Sequence, residues 1–164
     1  MDLTRDEKHL VERFRSLGDD GRAELLALSD RMAVARQKKK APHYRDLIGE
    51  EVVRRESGDT EVLLTVRPFV LNRNGMVHGG VISTLMDEAI GWAAHNSVGE
   101  GGRVVTAELK INFLTAATRG TLTGHGRVIR KGKHLIVGQG NILDQEGNLL
   151  AHGLGTWMIV EPGT

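Results

Sequence analysis

The stretch Val77-His78-Gly79-Gly80-Val81-Ile82-Ser83-Thr84-Leu85-Met86-Asp87-Glu88, continued by Ala89-Ile90-Gly91-Trp92-Ala93-Ala94, decides the fold. Two glycines beside a histidine allow a sharp backbone turn and the close approach of a ligand, and the apolar spacing that follows is helical. The sequence therefore predicts a loop that opens into a helix. Because apolar residues occupy a wide arc of this helix, we expect it to be buried on most sides.

A narrow polar stripe of small residues interrupts the apolar surface of this helix. Ser83, Asp87 and Gly91 lie one turn apart along it. Burying a carboxylate there is costly unless it has a bonding partner or a function. Asp87 is therefore either a structural residue that bonds the nearby backbone or another side chain, or a functional acid. Gly79 and Gly80 favour the functional interpretation, because free N–H groups at a helix start suit an oxyanion. An acid and an oxyanion donor are the minimal equipment for acyl transfer.

The acid and the donor are too far apart to act together within one chain. Asp87 and Gly79 are separated by more than two helical turns, which is at least about 10 Å by helical rise. Both can serve one carbonyl only if a second copy of the chain supplies one of them. The sequence therefore indicates a symmetric homodimer.

A longer motif surrounds these residues. Asn72-Arg73-Asn74-Gly75-Met76-Val77-His78-Gly79-Gly80, followed by Leu85-Met86-Asp87, resembles the N-x-x-G-x-x-H-G-G…L-x-D signature of hotdog-fold acyl-CoA thioesterases of the phenylacetate-degradation type. The resemblance runs from about Gly49 to Val160. It implies an α+β hotdog fold, in which an antiparallel sheet wraps around a central helix.

The resemblance also implies roles for individual residues. Asp87 of one subunit acts as general base or nucleophile, while Asn72 and Gly79 come from the other subunit, and His78 shapes the loop. Gly80, Ser83 and Thr106 are expected to bind substrate, with the Thr106 hydroxyl near the attacking water on the polar face of its strand. Glu88 is a rival acid that we interpret as a salt-bridged or capping residue on the opposite flank of the helix.

A basic hairpin tip, Arg130-Lys131-Gly132-Lys133, is the candidate coenzyme A site. The resemblance implies contacts between this region and the phosphates of coenzyme A, for which Lys and Arg supply positive charge. The alternative is ordinary edge charge that prevents strand-to-strand aggregation.

Composition narrows the class of protein. The 164 residues suffice for one domain and some additional chain, and 22 Lys and Arg against 21 Asp and Glu leave a net charge of +1. We therefore expect neither nucleic acid nor an anionic membrane as a partner.

The chain has no cysteine, which excludes disulfides, Cys-ligated metals and a thiol nucleophile. Without a signal peptide or an uninterrupted apolar span, a cytoplasmic location is the expectation.

The organisation predicted along the chain is an N-terminal helical extension over residues 1–45, followed by the hotdog domain over residues 46–164. The extension reads as two helices, one from Thr4 to Leu17 with a capping box to Glu7, and one from Asp19 or Asp20 to about Gln37. The basic run Arg36-Gln37-Lys38-Lys39-Lys40 is either a solvated helix end or a phosphate contact. Pro42 closes the segment.

The sheet is predicted from alternating patterns. A hairpin spans Glu51–Arg55 and Thr60–Arg67, the clearest strand runs from Val105 to Phe113, and three more strands cover about residues 120–131, 133–144 and 148–160. In the long strand one face is expected to carry the alternating residues Val105, Ala107, Leu109, Ile111 and Phe113. Each of the last three strands carries a G-x-G, at Gly124–Gly126, Gly138–Gly140 and Gly153–Gly155, which indicates that the sheet curls around the helix.

Three function hypotheses follow. The first is an acyl-CoA thioesterase that needs no cofactor or metal, and acts at least as a dimer and, by resemblance, as a tetramer. The second is a hotdog protein that binds acyl-CoA without hydrolysing it, as a sensor or carrier. The third is an interaction module that uses the N-terminal extension. The seven histidines show no metal-binding spacing, and Ser83 lies outside any nucleophile elbow. The sequence does not indicate which acyl group is accepted.

Overall fold

The computed structural model describes residues 2–37 and 44–160. The chain divides into two compact units, with the boundary between Gly49 and Glu50.

The N-terminal unit contains three helices: α1 (Arg5–Ser16), α2 (Asp19–Gln37) and the short α3 (Tyr44–Ile48). The predicted capping box begins α1: Thr4 Oγ1 accepts from the Glu7 N–H at 3.3 Å, and Glu7 Oε2 accepts from the Thr4 N–H at 2.6 Å. The prediction of two helices with these starts is confirmed, whereas α3 was not predicted. Lys38–Lys40 and Pro42 lie outside the described residues.

The second unit is an antiparallel sheet of six strands packed on one long helix. The strands are β1 (Glu50–Glu56), β2 (Asp59–Thr65), β3 (Arg103–Phe113), β4 (Thr121–Lys131), β5 (Leu135–Leu143) and β6 (Leu149–Val160), in the order β1-β2-β4-β5-β6-β3. Every neighbouring pair in this sheet is antiparallel. The predicted α+β hotdog architecture is confirmed, and β3 lies at one edge of the sheet.

The helix α4 (Gly79–Val98) is the central helix around which the sheet wraps. Its apolar arc is buried as predicted, through the residues Val81, Ile82, Leu85, Met86, Ala89, Ile90, Ala93 and Ala94. Opposite it, Val62 and Leu64 of β2 and Leu122 of β4 are fully buried. The core is therefore the concave face of the sheet closed over α4.

The strand glycines make this close packing possible. A methyl group at Gly126 would overlap the backbone carbonyl of Ala89 in α4, and one at Gly138 would overlap the Ile90 side chain. At Gly153 the added carbon would lie 2.9 Å from Met86 Cγ. The predicted architectural role of the G-x-G pattern is confirmed, because a side chain at these positions would push the sheet away from the helix.

A β-bulge at Ala107 changes which residues of β3 face the helix. Thr106 pairs with Trp157 and Glu108 pairs with Thr156, so Ala107 is the extra residue. Val105 consequently lies beside Met158 on the outer face and is 46% exposed. The prediction that Val105 shares a face with Leu109 is wrong, because the bulge reverses the alternation. Thr106, predicted on the polar face of the strand, is turned towards Asp87 of α4.

Within the described ranges, no helix combines the length and the apolar character that crossing a bilayer requires.

Candidate functional site

His78 organises the start of α4. It is the N-cap residue, and its Nδ1 accepts a hydrogen bond from the Gly80 N–H at 2.9 Å. A ring nitrogen that accepts a backbone N–H carries no proton, so the His78 proton lies on Nε2. This geometry agrees with the expected role of His78 in shaping the loop, and it uses the Gly80 N–H for capping.

The Gly79 N–H remains available at the helix start. Among the described residues no acceptor takes this N–H, whereas the N–H groups of Val81 and Ile82 both donate to the His78 carbonyl. The first N–H groups of a helix carry the positive end of its dipole. Gly79 therefore presents a free donor at the position where an oxyanion is best stabilised.

Asn72 holds the loop that precedes α4. Its Oδ1 accepts from the N–H groups of Asn74 at 2.8 Å and Met76 at 3.3 Å, and its own N–H donates to the Met76 carbonyl at 2.7 Å. This is the turn-forming role that Asn performs in many loops. Because Oδ1 is occupied, only the Nδ2 amide of Asn72 is available for a ligand.

Asn72 and Gly79 border one cleft, which we call the Gly79 cleft. Its volume is about 290 Å³, and its walls are mostly apolar, formed among others by Asn72, Met76, Gly79, Ile82, Phe113 and Leu114. Phe113 and Leu114 are 57% and 55% exposed at the end of the edge strand β3. The loop, the helix start and the edge of the sheet thus meet at one place.

Asp87 borders a second cleft, which we call the Asp87 cleft and which has a volume of about 250 Å³. The helix α4 contributes to it the residues Asp87, Glu88, Gly91, Trp92 and His95, and the strands contribute Val104, Thr106 and Trp157. The predicted polar stripe is thus open to a cleft at Asp87 and Gly91. Ser83 lies outside this cleft, and its Oγ donates to the Gly79 carbonyl at 2.9 Å.

The Asp87 carboxyl is held by one partner from β3. Thr106 Oγ1 donates to Asp87 Oδ1 at 2.9 Å, a contact that the bulge at Ala107 permits. Burial raises the pKa of the Asp87 carboxyl above its ordinary value, and the hydrogen bond from Thr106 opposes part of that rise. A carboxylate with a raised pKa in an open cleft is a stronger base than a solvated one, which suits general-base catalysis.

Removing the Thr106 hydroxyl is expected to shift the pH dependence of activity. In Thr106→Val the pKa of Asp87 rises further, because the donor that stabilises the carboxylate is lost. The base works only when ionised, so activity is lost as the pH falls through this pKa, and the acid limb of kcat/KM moves to higher pH. Thr106→Ser, which keeps the hydroxyl, is the control. An unchanged acid limb in Thr106→Val would exclude this hydrogen bond as a determinant of the base.

Glu88 lies nearer to Asp87 than predicted. It lines the same cleft rather than the opposite flank, and its Oε2 accepts from Trp92 Nε1 at 2.9 Å, one turn along α4. The cleft is wide enough to include two successive helical positions, which differ by about 100° around the axis. Trp157 was not predicted as a cleft residue, because no local pattern in the sequence connects the end of β6 with α4. Trp92 and His95 were not predicted either, because the flank of α4 that carries Glu88 was placed opposite Asp87.

The basic hairpin connects β4 and β5. Lys131 Nζ donates to the Ser97 carbonyl at 2.6 Å, near the C-terminal end of α4, and the Gly132 N–H donates to the Leu135 carbonyl. A cation at a helix C-terminus is favoured by the dipole, so Lys131 has a structural partner. Arg130, Lys133 and Gly80 line neither cleft.

No group of three or more His, Asp or Glu side chains among the residues described here is placed to hold a metal ion.

Comparison with known proteins identifies the family. The model of the thioesterase superfamily matches residues 74–151, which include Gly79 and Asp87. A protein of Saccharolobus solfataricus, described by its name as a presumed esterase, is 35% identical over 122 residues, covering 74% of this chain and 86% of that protein. The chain belongs to the thioesterase superfamily.

Two further proteins are similar to this member of the thioesterase superfamily. A 1,4-dihydroxy-2-naphthoyl-CoA hydrolase of Listeria monocytogenes is 31% identical over 106 residues, covering 65% of this chain and 86% of that enzyme. The crystal structure of a Bacillus halodurans protein with CoA superimposes with a TM-score of 0.82 at 27% identity, over 89% of this chain and 97% of that chain. The resemblance is confirmed for the superfamily and the hotdog fold, and the phenylacetate-degradation type stays a prediction.

Proposed function

We propose that this protein is an acyl-CoA thioesterase of the phenylacetate-degradation type, which hydrolyses a coenzyme A thioester to the free acid and coenzyme A. The observation that carries the proposal is the half-buried Asp87 carboxyl on the central helix, with its raised pKa and its single described partner, Thr106. Membership of the thioesterase superfamily and the coenzyme A in the Bacillus halodurans structure support the substrate class.

The proposed mechanism divides the work between two subunits. The thioester carbonyl oxygen accepts a hydrogen bond from the Gly79 N–H of one subunit, and the Nδ2 amide of Asn72 supplies a second donor for the water or the carbonyl. Asp87 of the other subunit removes a proton from water, which attacks the carbonyl carbon. The tetrahedral intermediate then collapses and expels the coenzyme A thiolate, which takes up a proton. Direct attack by Asp87, giving a mixed anhydride that water cleaves, uses the same residues.

A homodimer is the smallest assembly that this mechanism allows. In one chain Gly79 and Asp87 are eight residues apart on α4, about 12 Å by helical rise, and they open into different clefts. The exposed edge of β3, with Phe113 and Leu114 beside the Gly79 cleft, supports pairing with a second copy at this place. A homotetramer built from two such dimers, with a cytoplasmic location, completes the proposal.

The proposed chemistry uses a carboxylate, a water and amide donors, so it requires no cofactor besides the coenzyme A of the substrate. Arg130 and Lys133, at the hairpin between β4 and β5, are the proposed contacts for the coenzyme A phosphates, with Gly132 forming the turn. Lys131 contributes through the same hairpin, although its ammonium already binds the Ser97 carbonyl.

The test is a screen of short, medium, long and aryl acyl-CoAs with release of free thiol as the readout. The proposal expects turnover of at least one of these substrates by the native chain and its loss in Asp87→Asn. Binding of acyl-CoA without thiol release would contradict the enzymatic assignment and favour a sensor or carrier.

A further inference from the structure

The floor of the Asp87 cleft contains a polar group that the proposed mechanism does not use. Trp157 is only 2% exposed, yet it lines this cleft from β6. No hydrogen bond joins its indole N–H to any of the residues described. The side chain as a whole is packed in the core, but its N–H faces the cleft and has no acceptor among the residues described, so it is available to a ligand.

Two glycines leave space for the indole in this position and keep its N–H accessible. A methyl group at Gly155 would lie 2.6 Å from two atoms of the far side of the Trp157 ring, so this glycine makes room for the ring. On the helix side, a Cβ at Gly91 would lie 3.3 Å from Trp157 Nε1. Because Gly91 has no side chain, the N–H is open to the cleft that Gly91 also lines.

The indole N–H lies a defined distance from the proposed reaction centre. Gly91, beside the N–H, follows Asp87 by four residues on α4, a rise of about 6 Å. An acyl group whose carbonyl is positioned at Asp87 therefore places atoms about one helical turn away near Trp157. Thr106, which binds Asp87, also pairs with Trp157 across the sheet, so both groups face the same cleft.

We propose that the Trp157 indole N–H is a specificity-determining donor, which binds a hydrogen-bond acceptor on the acyl group about one helical turn from the thioester carbonyl. The inference rests on the proposed thioesterase function. Acyl groups with an oxygen at this position pair with this donor, whereas an isosteric methyl group displaces water from it and leaves it unpaired. A site built around a hydrogen bond rejects the analogue that lacks the partner more strongly than an apolar pocket rejects an extra methyl group.

The volume and the walls of the cleft are compatible with a compact acyl group. About 250 Å³ is below the range of about 300–1,000 Å³ that holds drug-sized ligands. Trp92 and His95 form another wall, with their rings 5.5 Å apart and nearly perpendicular. We therefore expect Trp157 to discriminate among short or flat acyl groups. In such a group one polar atom makes up a large part of the surface that the cleft contacts.

The experiment compares two pairs of acyl-CoAs that differ only in a hydroxyl or a methyl group: 4-hydroxybenzoyl-CoA with 4-methylbenzoyl-CoA, and 5-hydroxypentanoyl-CoA with hexanoyl-CoA. The native protein is expected to favour the hydroxylated member of at least one pair by about tenfold to a hundredfold in kcat/KM. Trp157→Phe, which keeps an aromatic ring without the N–H, is expected to remove most of this preference. Gly91→Ala keeps the indole but places a methyl group against its N–H, at a distance that requires the ring to shift by a few tenths of an ångström, and is expected to act in the same direction.

A binding measurement keeps the test independent of turnover and of the folding of Trp157→Phe. In Asp87→Asn labelled with ¹⁵N, the indole N–H signal of Trp157 is expected to shift with the hydroxylated acyl-CoA and not with its methyl isostere. The chain has 2 Trp, so Trp92→Phe in the same background assigns the signals.

The outcomes separate this inference from the function on which it rests. Equal hydrolysis of both members of both pairs, or an unchanged indole signal with every ligand, would overturn the role of Trp157 and leave the thioesterase standing. Absence of hydrolysis with all four probes and with every other acyl-CoA in the screen would overturn the proposed function and this inference together.

Discussion

Replacing Asp87 with asparagine is expected to lower the turnover of acyl-CoA by at least about a hundredfold, the scale on which a general base contributes. Asparagine has nearly the same shape and keeps an oxygen that accepts from the Thr106 hydroxyl, but it cannot take a proton from water. The measurement is kcat with the best substrate of the screen, followed by release of free thiol. Full activity of a folded Asp87→Asn protein would exclude this residue as the base.

The same substitution is expected to leave the fold as stable as that of the native chain, or more stable, near neutral pH. Burial raises the pKa of Asp87 in the folded state above its unfolded value, so ionising this carboxyl disfavours folding. The unfavourable contribution is absent below the unfolded pKa, grows as the pH rises to the folded pKa, and is complete above it. Asparagine carries no charge at any pH. Urea unfolding at neutral pH measures the comparison.

Glu88→Gln is the matched control, because Glu88 is the neighbouring acid in the same cleft. Its carboxylate accepts a hydrogen bond from the Trp92 indole N–H, so we expect its role to be structural. We expect kcat to change by less than about tenfold, well short of the effect of a lost general base. A loss as large as that of Asp87→Asn would assign the base to Glu88 instead.

Gly79→Pro is expected to lower kcat by about a hundredfold to a thousandfold, the range observed when one oxyanion donor is removed. Proline deletes the N–H of Gly79 and little else, because it is tolerated at the first position of a helix. The preceding residue, His78, already has φ −62° and ψ 135°, an extended conformation that a following proline accepts. The change is read as kcat at saturating acyl-CoA.

Gly79→Ala is the control for Gly79→Pro, because it adds a side chain at this position and keeps the N–H donor. A Cβ at this position would lie 3.7 Å from the Phe113 ring, an ordinary van der Waals distance, and alanine keeps the N–H. Its kcat is expected to stay within a few-fold of the native value. Equal losses in the alanine and proline variants would indicate a steric effect at Gly79, and a fully active proline variant would exclude this N–H as the oxyanion donor.

The local features of this fold could be predicted from the sequence. The central helix and its polar stripe at Asp87 follow from a 3.6-residue period in the sequence. The close packing of the sheet on the helix follows from the G-x-G pattern, which is repeated in three successive strands. The capping box of α1 is also visible in four residues, Thr4 to Glu7. Each of these features depends on residues that are close together in the chain.

The features that were missed depend on residues far apart in the chain. The bulge at Ala107 is set by the pairing of β3 with β6, and without it Thr106 faces away from Asp87. Trp157 reaches the cleft because Gly91 on α4 and Gly155 on its own strand leave space for its ring. Glu88 was assigned to the wrong flank because the width of a cleft is a property of the packed sheet and not of the helix.

In the proposed enzyme, one active site takes its acid from one chain and its amide donor from another. Mixing Asp87→Asn with Gly79→Pro tests this arrangement, since each parent is expected to be nearly inactive alone. When the two are unfolded together and refolded in equal amounts, half of the dimers are mixed, and one of the two sites in each mixed dimer has both native residues. We therefore predict recovery of about a quarter of the native activity. A refolded mixture as inactive as its parents, with mixed dimers shown to be present, would contradict a site shared between chains.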